Sequence, residues 1–308
     1  MSSTAATSPP PLTPRPRFGD RSYGRRRSYL LFVLPALVVI VAVIIFPWIY
    51  TVFMSFHDWQ VGARRIWVGL DNYGELLNDL RFRAAVGRTF VYTVLAVALP
   101  VGLGTIAAIL FHQEFPFRGL FRGIFILPMI ATPVAIALVW TMMYHPQLGV
   151  LNYLLSLVGL PPSLWVYAPD TVIPSLVLVE TWQWTPLVML IVLGGLASLP
   201  VEPLESAVVD GAGTWRIYRD IILPMTLPFL MVAVVLRTID SLKAFDTIFA
   251  ITQGGPGTAS ETINIYLYLQ AFSFFRIGHA SAVVVVFFVI VVACSLALLI
   301  VRQRTKWS

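Results

Sequence analysis

The sequence contains a single cysteine and few charged residues. Cys294 stands alone among 308 residues, which excludes a disulfide framework and a cysteine-ligated metal cluster within this chain. We expect Cys294 to be a small buried residue of the last helix. Only 12% of the residues are charged and 58% are hydrophobic, whereas soluble domains carry about a quarter charged residues. This composition indicates a protein that lies mostly in lipid.

The sequence also lacks the common motifs of hydrolytic and nucleotide-binding sites. It has no Gly-x-x-x-x-Gly-Lys-Ser/Thr phosphate loop, no His-Glu-x-x-His zinc motif and no Gly-x-Ser-x-Gly nucleophile motif. Its histidines fall in separate segments, at His57, His112, His145 and His279. We therefore expect no catalytic residue, no metal and no cofactor in this chain, and any ATP-driven work must use the energy of a partner.

Long stretches without charge are present instead. Asp, Glu, Lys and Arg are absent from 28–57, 89–113, 123–169 and 277–301, and a membrane-spanning helix needs about 20 apolar residues. Two further apolar segments carry only a few charges. The sequence predicts an all-α membrane protein with six transmembrane helices, near residues 29–53, 89–111, 120–144, 172–199, 222–251 and 277–301.

Basic residues flank the predicted helices unevenly. Thirteen Lys and Arg residues lie in the two tails and in the loops 112–122 and 197–221, against six in the other loops. The positive-inside rule then places both termini in the cytoplasm. Residues 1–28, rich in Pro, Ser and Arg, are expected to form a disordered cytoplasmic tail, followed by a transmembrane domain over 29–308. Because the basic residues flank helices, we expect no nucleic-acid partner.

One predicted cytoplasmic loop has an unusual composition, ESAVVDGAGTWRIYRDIILPMTLP (205–228). Pro203 and Glu205 suit the first turn of a helix, and Gly211 favours a corner because glycine adopts left-handed backbone angles. Thr214 can cap a second short helix before the next span. The pattern predicts a helix–corner–helix elbow, within about 200–223, that presents small residues to another protein: Ser206, Ala207, Gly211 and Ala212.

This loop resembles a signature of the permeases of binding-protein-dependent ATP-binding-cassette (ABC) importers. In that family Glu-Ala-Ala is followed by Asp-Gly-Ala, an aromatic residue, Ile-x-Leu-Pro and a final Pro. The chain matches at Glu205, Ala207, Asp210, Gly211, Ala212, Ile221, Leu223, Pro224 and Pro228, with Ser206 in place of the first Ala. The resemblance implies a short coupling helix between helices 4 and 5 that sits in a groove of the ATPase subunit. Its coupling residues would be Glu205, Ser206, Ala207, Asp210, Gly211 and Ala212.

A second block, residues 236–282, resembles the carbohydrate-uptake, maltose-type branch of the same family. Members of that branch show Phe-Asp, then Thr-x-Gly-Gly-Pro, then Tyr and Ala-Phe before the last helix, as does this chain. The resemblance implies a multi-pass permease of the bacterial inner membrane that forms half of a path for a sugar or polyol. It also implies three kinds of partner: a second, homologous permease, an ATPase dimer that binds ATP and Mg, and an extracytoplasmic solute-binding protein.

Ionisable residues lie within two predicted spans, where they are costly and usually face a cavity or a partner. Spacings of three and four put Glu180, Gln183 and Trp184 on one face of the fourth helix. The fifth helix carries charges at intervals of three, at Arg237, Asp240, Lys243 and Asp246. Two interpretations stay open: internal pairing that holds the helices together, or a translocation cavity. A sugar needs donors, acceptors and an aromatic face, which a path set supplies: Glu180, Gln183, Trp184, Asp240, Lys243, Phe245 and Asp246.

Other functions also stay open at this point. A permease for an anion such as glycerol phosphate favours an Arg-rich cavity, whereas only Arg237 and Lys243 are available. An ion-coupled secondary transporter needs its own ion site and usually shows repeated halves, and no repeat is evident. The Gly-Pro segment 252–262 is either a turn or, on the outer side, a contact for the binding protein or a gate over the cavity.

Overall fold

The computed structural model describes residues 32–304, with side chains described to Arg302. The predicted tail over 1–28 and the start of the first helix lie outside the described residues. Contacts divide the described residues into two units, one up to Tyr50 and the other from Thr51 onward. The architecture of the described chain is mostly helical.

The first unit contributes most of helix α1 (Phe32–Ser55). None of the 18 residues in the most apolar window of α1 is buried among the described residues. The rings of Phe46 and Tyr50 stack one turn apart, with centroids 6.3 Å from each other. An apolar helix of this length with its surface uncovered fits the predicted first span.

The second unit continues with a small antiparallel sheet of β1 (His57–Asp58) and β2 (Ile66–Trp67), followed by α2 (Asp71–Asn78). Helix α3 (Leu80–His112) begins nine residues before its predicted start at 89. The reason is a cap, because Asp79 Oδ1 accepts a hydrogen bond from the backbone N–H of Arg81 at 2.7 Å. The start of α3 carries Arg81, Arg83 and Arg88, so a prediction based on the charge-free stretch missed it.

The predicted third span is broken into two helices. α4 (Arg118–Ile130) and α5 (Pro133–Met143) meet at an angle of 98°. Thr132 has an extended backbone because a residue before proline is sterically kept out of the helical region. Within the described chain, five helices are long and apolar enough to cross a membrane, and the bent pair makes six if it is one span.

Helix α7 (Pro169–Leu196) forms the centre of the second unit and packs mainly against α3. It follows α6 (Val150–Leu157), and 67% of its most apolar window is buried, more than in any other described span. A Cβ at Gly104 of α3 would lie 2.7 Å from Val188 Cβ. The glycine therefore permits the close approach of these two helices.

The remaining helices are α8 (Glu202–Val209), α9 (Thr214–Leu242), α10 (Asp246–Thr252), α11 (Ile263–Tyr268) and α12 (Ile277–Arg304). The predicted fifth span over 222–251 was wrong at both ends, since α9 begins at Thr214 and stops at Leu242. Asn264 Nδ2 donates to the carbonyls of Leu242 and Ala244, each at 3.4 Å, beside this break. Asp246 starts a separate helix, so it does not continue the helical face of Arg237.

Candidate coupling elbow and intramembrane polar cluster

The predicted elbow is present between α7 and α9. α8 has Pro203 in its first turn, and the corner follows over 210–213. Gly211 has φ +76°, and the N–H of Ala212 donates to the Ala207 carbonyl at 2.9 Å. A Cβ at Gly211 would meet nothing within 4 Å. The corner thus requires glycine for its backbone angle rather than for space.

Details of the elbow were predicted wrongly. Gly213, not Thr214, is the N-cap residue, and no side chain caps this helix start. α9 then runs through Pro224 and Pro228 without a break, so the second arm of the elbow is the beginning of the next span. Ala207 is only 9% exposed and is not presented to a partner. The other small or charged members of the predicted set are exposed or half-buried: Glu205, Ser206, Asp210, Gly211 and Ala212.

Sequence reasoning missed the apolar surface of the elbow. Val208, Val209 and Trp215 are 63%, 87% and 75% exposed. Large exposed apolar groups close together in sequence are candidates for a contact site. The signal was the Val-Val pair at the end of α8, because Leu204 and Ala207 already supply the buried face of that short helix.

A buried ion pair joins α7 to α9. Arg237 Nη2 donates to Glu180 Oε1, and also to Ser241 Oγ at 3.0 Å. The Arg237 side chain is completely buried and Glu180 is nearly so. The guanidinium carbon lies 4.9 Å from the centroid of the Trp184 ring. Glu180 and Trp184 therefore share one face, as the spacing predicts, and Arg237 is paired within the chain.

The other charges of the path set do not pair as a helical ladder. Asp240, Lys243 and Asp246 are exposed, and none of them forms an ion pair with another described residue. The four charges at intervals of three do not lie along one helix, because α9 ends before Lys243, and Arg237 pairs across to α7. Gln183 is buried, and its Oε1 has no protein partner within the described chain.

Phe245, the remaining member of the path set, belongs to an aromatic cluster that sequence reasoning missed. Its ring stacks on Phe249 at 5.1 Å and contacts Tyr268 at 5.3 Å. Tyr268 in turn contacts Phe272 at 5.1 Å, and Phe272 is well exposed. Phe245 and Phe249, like Tyr268 and Phe272, are four positions apart in the sequence. This spacing brings side chains together on a helix and could have predicted the contacts.

The Gly-Pro segment 252–262 is pinned by a carboxylate. Glu261 is 1% exposed and accepts hydrogen bonds from Arg81 Nε at 2.9 Å and Arg81 Nη2 at 2.7 Å. Arg88 Nε donates to the backbone carbonyl of Glu261 at 2.8 Å. The segment is therefore an ordered loop attached to α3, and its role as a gate or a binding-protein contact stays a prediction.

A hydrogen-bonded network beside this loop ties α11 and α12 to the start of α3. Tyr266 Oη donates to Asp79 Oδ2 at 2.6 Å and lies 3.1 Å from His279 Nε2. Burial disfavours the charged form of Asp79, but the hydrogen bonds from Tyr266 and from the Arg81 backbone outweigh it. The pKa of Asp79 consequently lies below its ordinary value. Across residues 32–302, no group of three His, Cys, Asp or Glu residues is placed to hold a metal ion.

Comparisons with known proteins assign the chain to a transport family. Residues 100–306 match the family model of the binding-protein-dependent transport system inner membrane component. A probable ABC transporter permease of Sinorhizobium fredii is 35% identical over 278 residues, which cover 89% of this chain and 90% of that protein. The trehalose/maltose transport system permease of Thermococcus litoralis is 33% identical over 281 residues, which cover 90% of this chain and 94% of that protein.

The fold is shared with a solved bacterial ABC transporter involved in the import of the acidic polysaccharide alginate. The match has a TM-score of 0.81 and covers 92% of this chain and 98% of the other, at 23% identity. At this identity the match speaks for the fold alone. Together with the family match and the apolar helices, it leads to one conclusion. The chain belongs to the family of binding-protein-dependent transport system inner membrane components, and it is a multi-pass ABC transporter permease.

Proposed function

We propose that this chain is the permease subunit of an ABC importer for a neutral sugar or polyol, and that it forms half of the translocation path. The observation that carries the proposal is the 33% identity, over 90% of the chain, to a trehalose/maltose permease. In this arrangement both termini and the elbow face the cytoplasm. A second, homologous permease supplies the other half of the path, and an extracytoplasmic binding protein delivers the solute.

The charge of the path set supports a neutral cargo. Its exposed ionisable members are Asp240, Lys243 and Asp246, which offer donors and acceptors with a small net charge. Trp184 and Phe245 are half-buried and supply aromatic surface for the C–H face of a sugar, while Glu180 and Gln183 are buried. Because Arg237 is already bound to Glu180, Lys243 is the one exposed base of the path set, and it has a carboxylate three residues away on each side in sequence. This disfavours the glycerol phosphate alternative.

The elbow is the proposed contact with the ATPase. Its exposed residues combine the carboxylates of Glu205 and Asp210 with the apolar surface of Val208, Val209 and Trp215. Exposed apolar and charged groups together are typical of a protein interface. ATP and Mg are held by the partner ATPase subunits, and this chain transmits their movement to the path.

A two-step experiment tests this function. A thermal-shift screen of neutral sugars and polyols on the cognate binding protein identifies the ligand, and uptake of that ligand is then measured in vesicles carrying the complete complex. Uptake is expected to need ATP and to stop when the ATPase is replaced by a hydrolysis-deficient variant. Asp240→Asn and Trp184→Ala are expected to slow uptake without loss of the protein from the membrane. Uptake without any ATPase subunit, or a response to glycerol phosphate alone, would contradict the proposal.

A further inference from the structure

We infer that Arg237 is a positioning residue: it fixes the indole of Trp184 from behind, and so sets the surface that α7 offers to the solute. The inference rests on the proposed function, because it assigns a task to a residue behind the proposed path. Arg237 is completely buried, so it makes no contact with a solute in this conformation. Any influence on transport must act through the groups that it touches.

The contacts of Arg237 hold groups on both helices. One hydrogen bond goes to Glu180 on α7, another goes to Ser241 on its own helix, and the planar cation lies against Trp184. No other ring stacks on Trp184 among the described residues. The guanidinium is therefore the planar group that lies against this indole and can hold its orientation. A lysine can keep the charge, but it lacks the planar surface that stacks on a ring.

Stability alone does not account for this arrangement. A buried ion pair is on average no more stabilising than apolar side chains of the same volume. Nε and Nη1 of Arg237 have no protein partner in the described part of the chain, which adds to the cost of burying the group. Costly buried groups of this kind are expected where function requires them. Arg237 would act on transport through Trp184, which is half-buried and reaches the surface of α7.

The first test separates an effect through Trp184 from independent effects. Uptake of maltose and of trehalose is measured in vesicles with the complete complex for wild type, Arg237→Lys, Trp184→Phe and the double variant. Arg237→Lys is expected to lower the maximal rate roughly fivefold, a partial loss of the cation–π contact, because lysine keeps the charge but lacks the planar surface. The half-saturating concentration of binding protein should stay unchanged. The double variant should be no slower than the slower single variant.

A matched control uses Trp182, an exposed tryptophan of α7 whose ring packs edge-on against Trp140 at 5.7 Å. Trp182→Phe is expected to keep the wild-type rate, and its combination with Arg237→Lys should be as slow as Arg237→Lys alone. Losses that multiply in the double variant of Arg237 and Trp184 would overturn the inference. So would a wild-type rate for Arg237→Lys.

A second variant covers the case in which Arg237→Lys fails to fold. Glu180→Gln with Arg237→Met removes both charges at similar volume, and such replacements are often neutral or stabilising. This pair should retain the wild-type amount in the membrane and the wild-type thermal midpoint, yet lose the same factor in uptake. Normal uptake, or absence from the membrane of both this pair and Arg237→Lys, would make Arg237 a structural residue only.

Failure of the proposed function gives a different result. If the wild-type complex takes up neither maltose nor trehalose, the substrate class is wrong for these sugars. The same variants are then compared with the ligand that stabilises the binding protein most in the thermal-shift screen. The pattern of combined losses decides the role of Arg237 whichever solute is carried.

Discussion

Gly211 is the position at which a small change in the elbow has the most predictable effect. Its φ of +76° lies in the left-handed region, which costs an alanine about 1–2 kcal/mol. An added Cβ meets no atom within 4 Å, so the cost of Gly211→Ala is backbone strain without a clash. Gly213, two residues later, has φ −70° and equally open surroundings. Gly213→Ala is therefore a matched control in the same corner.

A strain of about 1 kcal/mol shifts the elbow about fivefold toward distorted conformations. Only the ordered corner presents α8 and the start of α9 together, so the apparent affinity for the ATPase should fall by up to the same factor. Gly211→Pro is more severe. It fixes φ near −65° and removes the N–H that donates to the Val208 carbonyl at 3.0 Å. Gly211→Asn should lie between alanine and wild type, because asparagine tolerates the left-handed region.

The assay combines two measurements on the same membranes. Binding of the ATPase to the detergent-solubilised permease gives the affinity, and ATP-dependent uptake in vesicles gives the coupled activity. We expect the order wild type, Gly213→Ala, Gly211→Asn, Gly211→Ala, Gly211→Pro, with equal amounts of permease in the membrane. Equal affinities for Gly211→Ala and Gly213→Ala, or normal uptake with Gly211→Pro, would refute the reasoning.

Three further substitutions test the elbow surface, the loop and the helix packing. Trp215→Ala should weaken ATPase binding at least tenfold, as truncation of a central interface aromatic does, whereas Val201→Ala at the start of α8 should not; equal binding by both contradicts this. Glu261→Gln breaks the ion pair that holds the loop 252–262. It should lower the free energy of unfolding by about 1–2 kcal/mol, a modest value because Arg81 is partly exposed. An unchanged midpoint of thermal unfolding would contradict this. Gly104→Ala should lower the free energy of unfolding by about 1–3 kcal/mol through overpacking. Gly102→Ala, whose Cβ would have nothing within 4 Å, should not lower it. Equal midpoints of thermal unfolding for the two variants would refute close packing at Gly104.

Helix content could be predicted from the sequence because lipid requires long apolar segments, but helix ends could not. α3 begins at Leu80 because Asp79 caps it, a local signal that hydropathy ignores. The bend between α4 and α5 follows from Pro133, which was also readable. The end of α9 at Leu242 could not be predicted, because the residue that donates a hydrogen bond to the Leu242 carbonyl, Asn264, lies 22 residues further along the chain.

The candidate site divides in the same way. Helical spacing correctly placed Glu180 and Trp184 on one face, because that relation is local. The spacing of charges on the fifth helix did not identify a partner for Arg237, which is Glu180 on another helix. Likewise Glu261 meets Arg81 from 180 positions away. Spacing along one helix carries no information about which helix faces it, so these pairs required the tertiary structure.

The elbow and the Arg237–Glu180 ion pair both connect α7 to α9, but at different positions along these helices. At 1.5 Å per residue, Glu180 lies about 24 Å before the end of α7, and Arg237 lies about 35 Å after the start of α9. Sites this far apart normally contribute independently, so the effects of their variants multiply. If α7 and α9 move as one body, Arg237→Lys and Gly211→Ala should instead combine to less than the product of their separate losses in vesicle uptake. A product within error would show that the elbow and the cluster act separately, since coupling between distant sites needs such direct evidence.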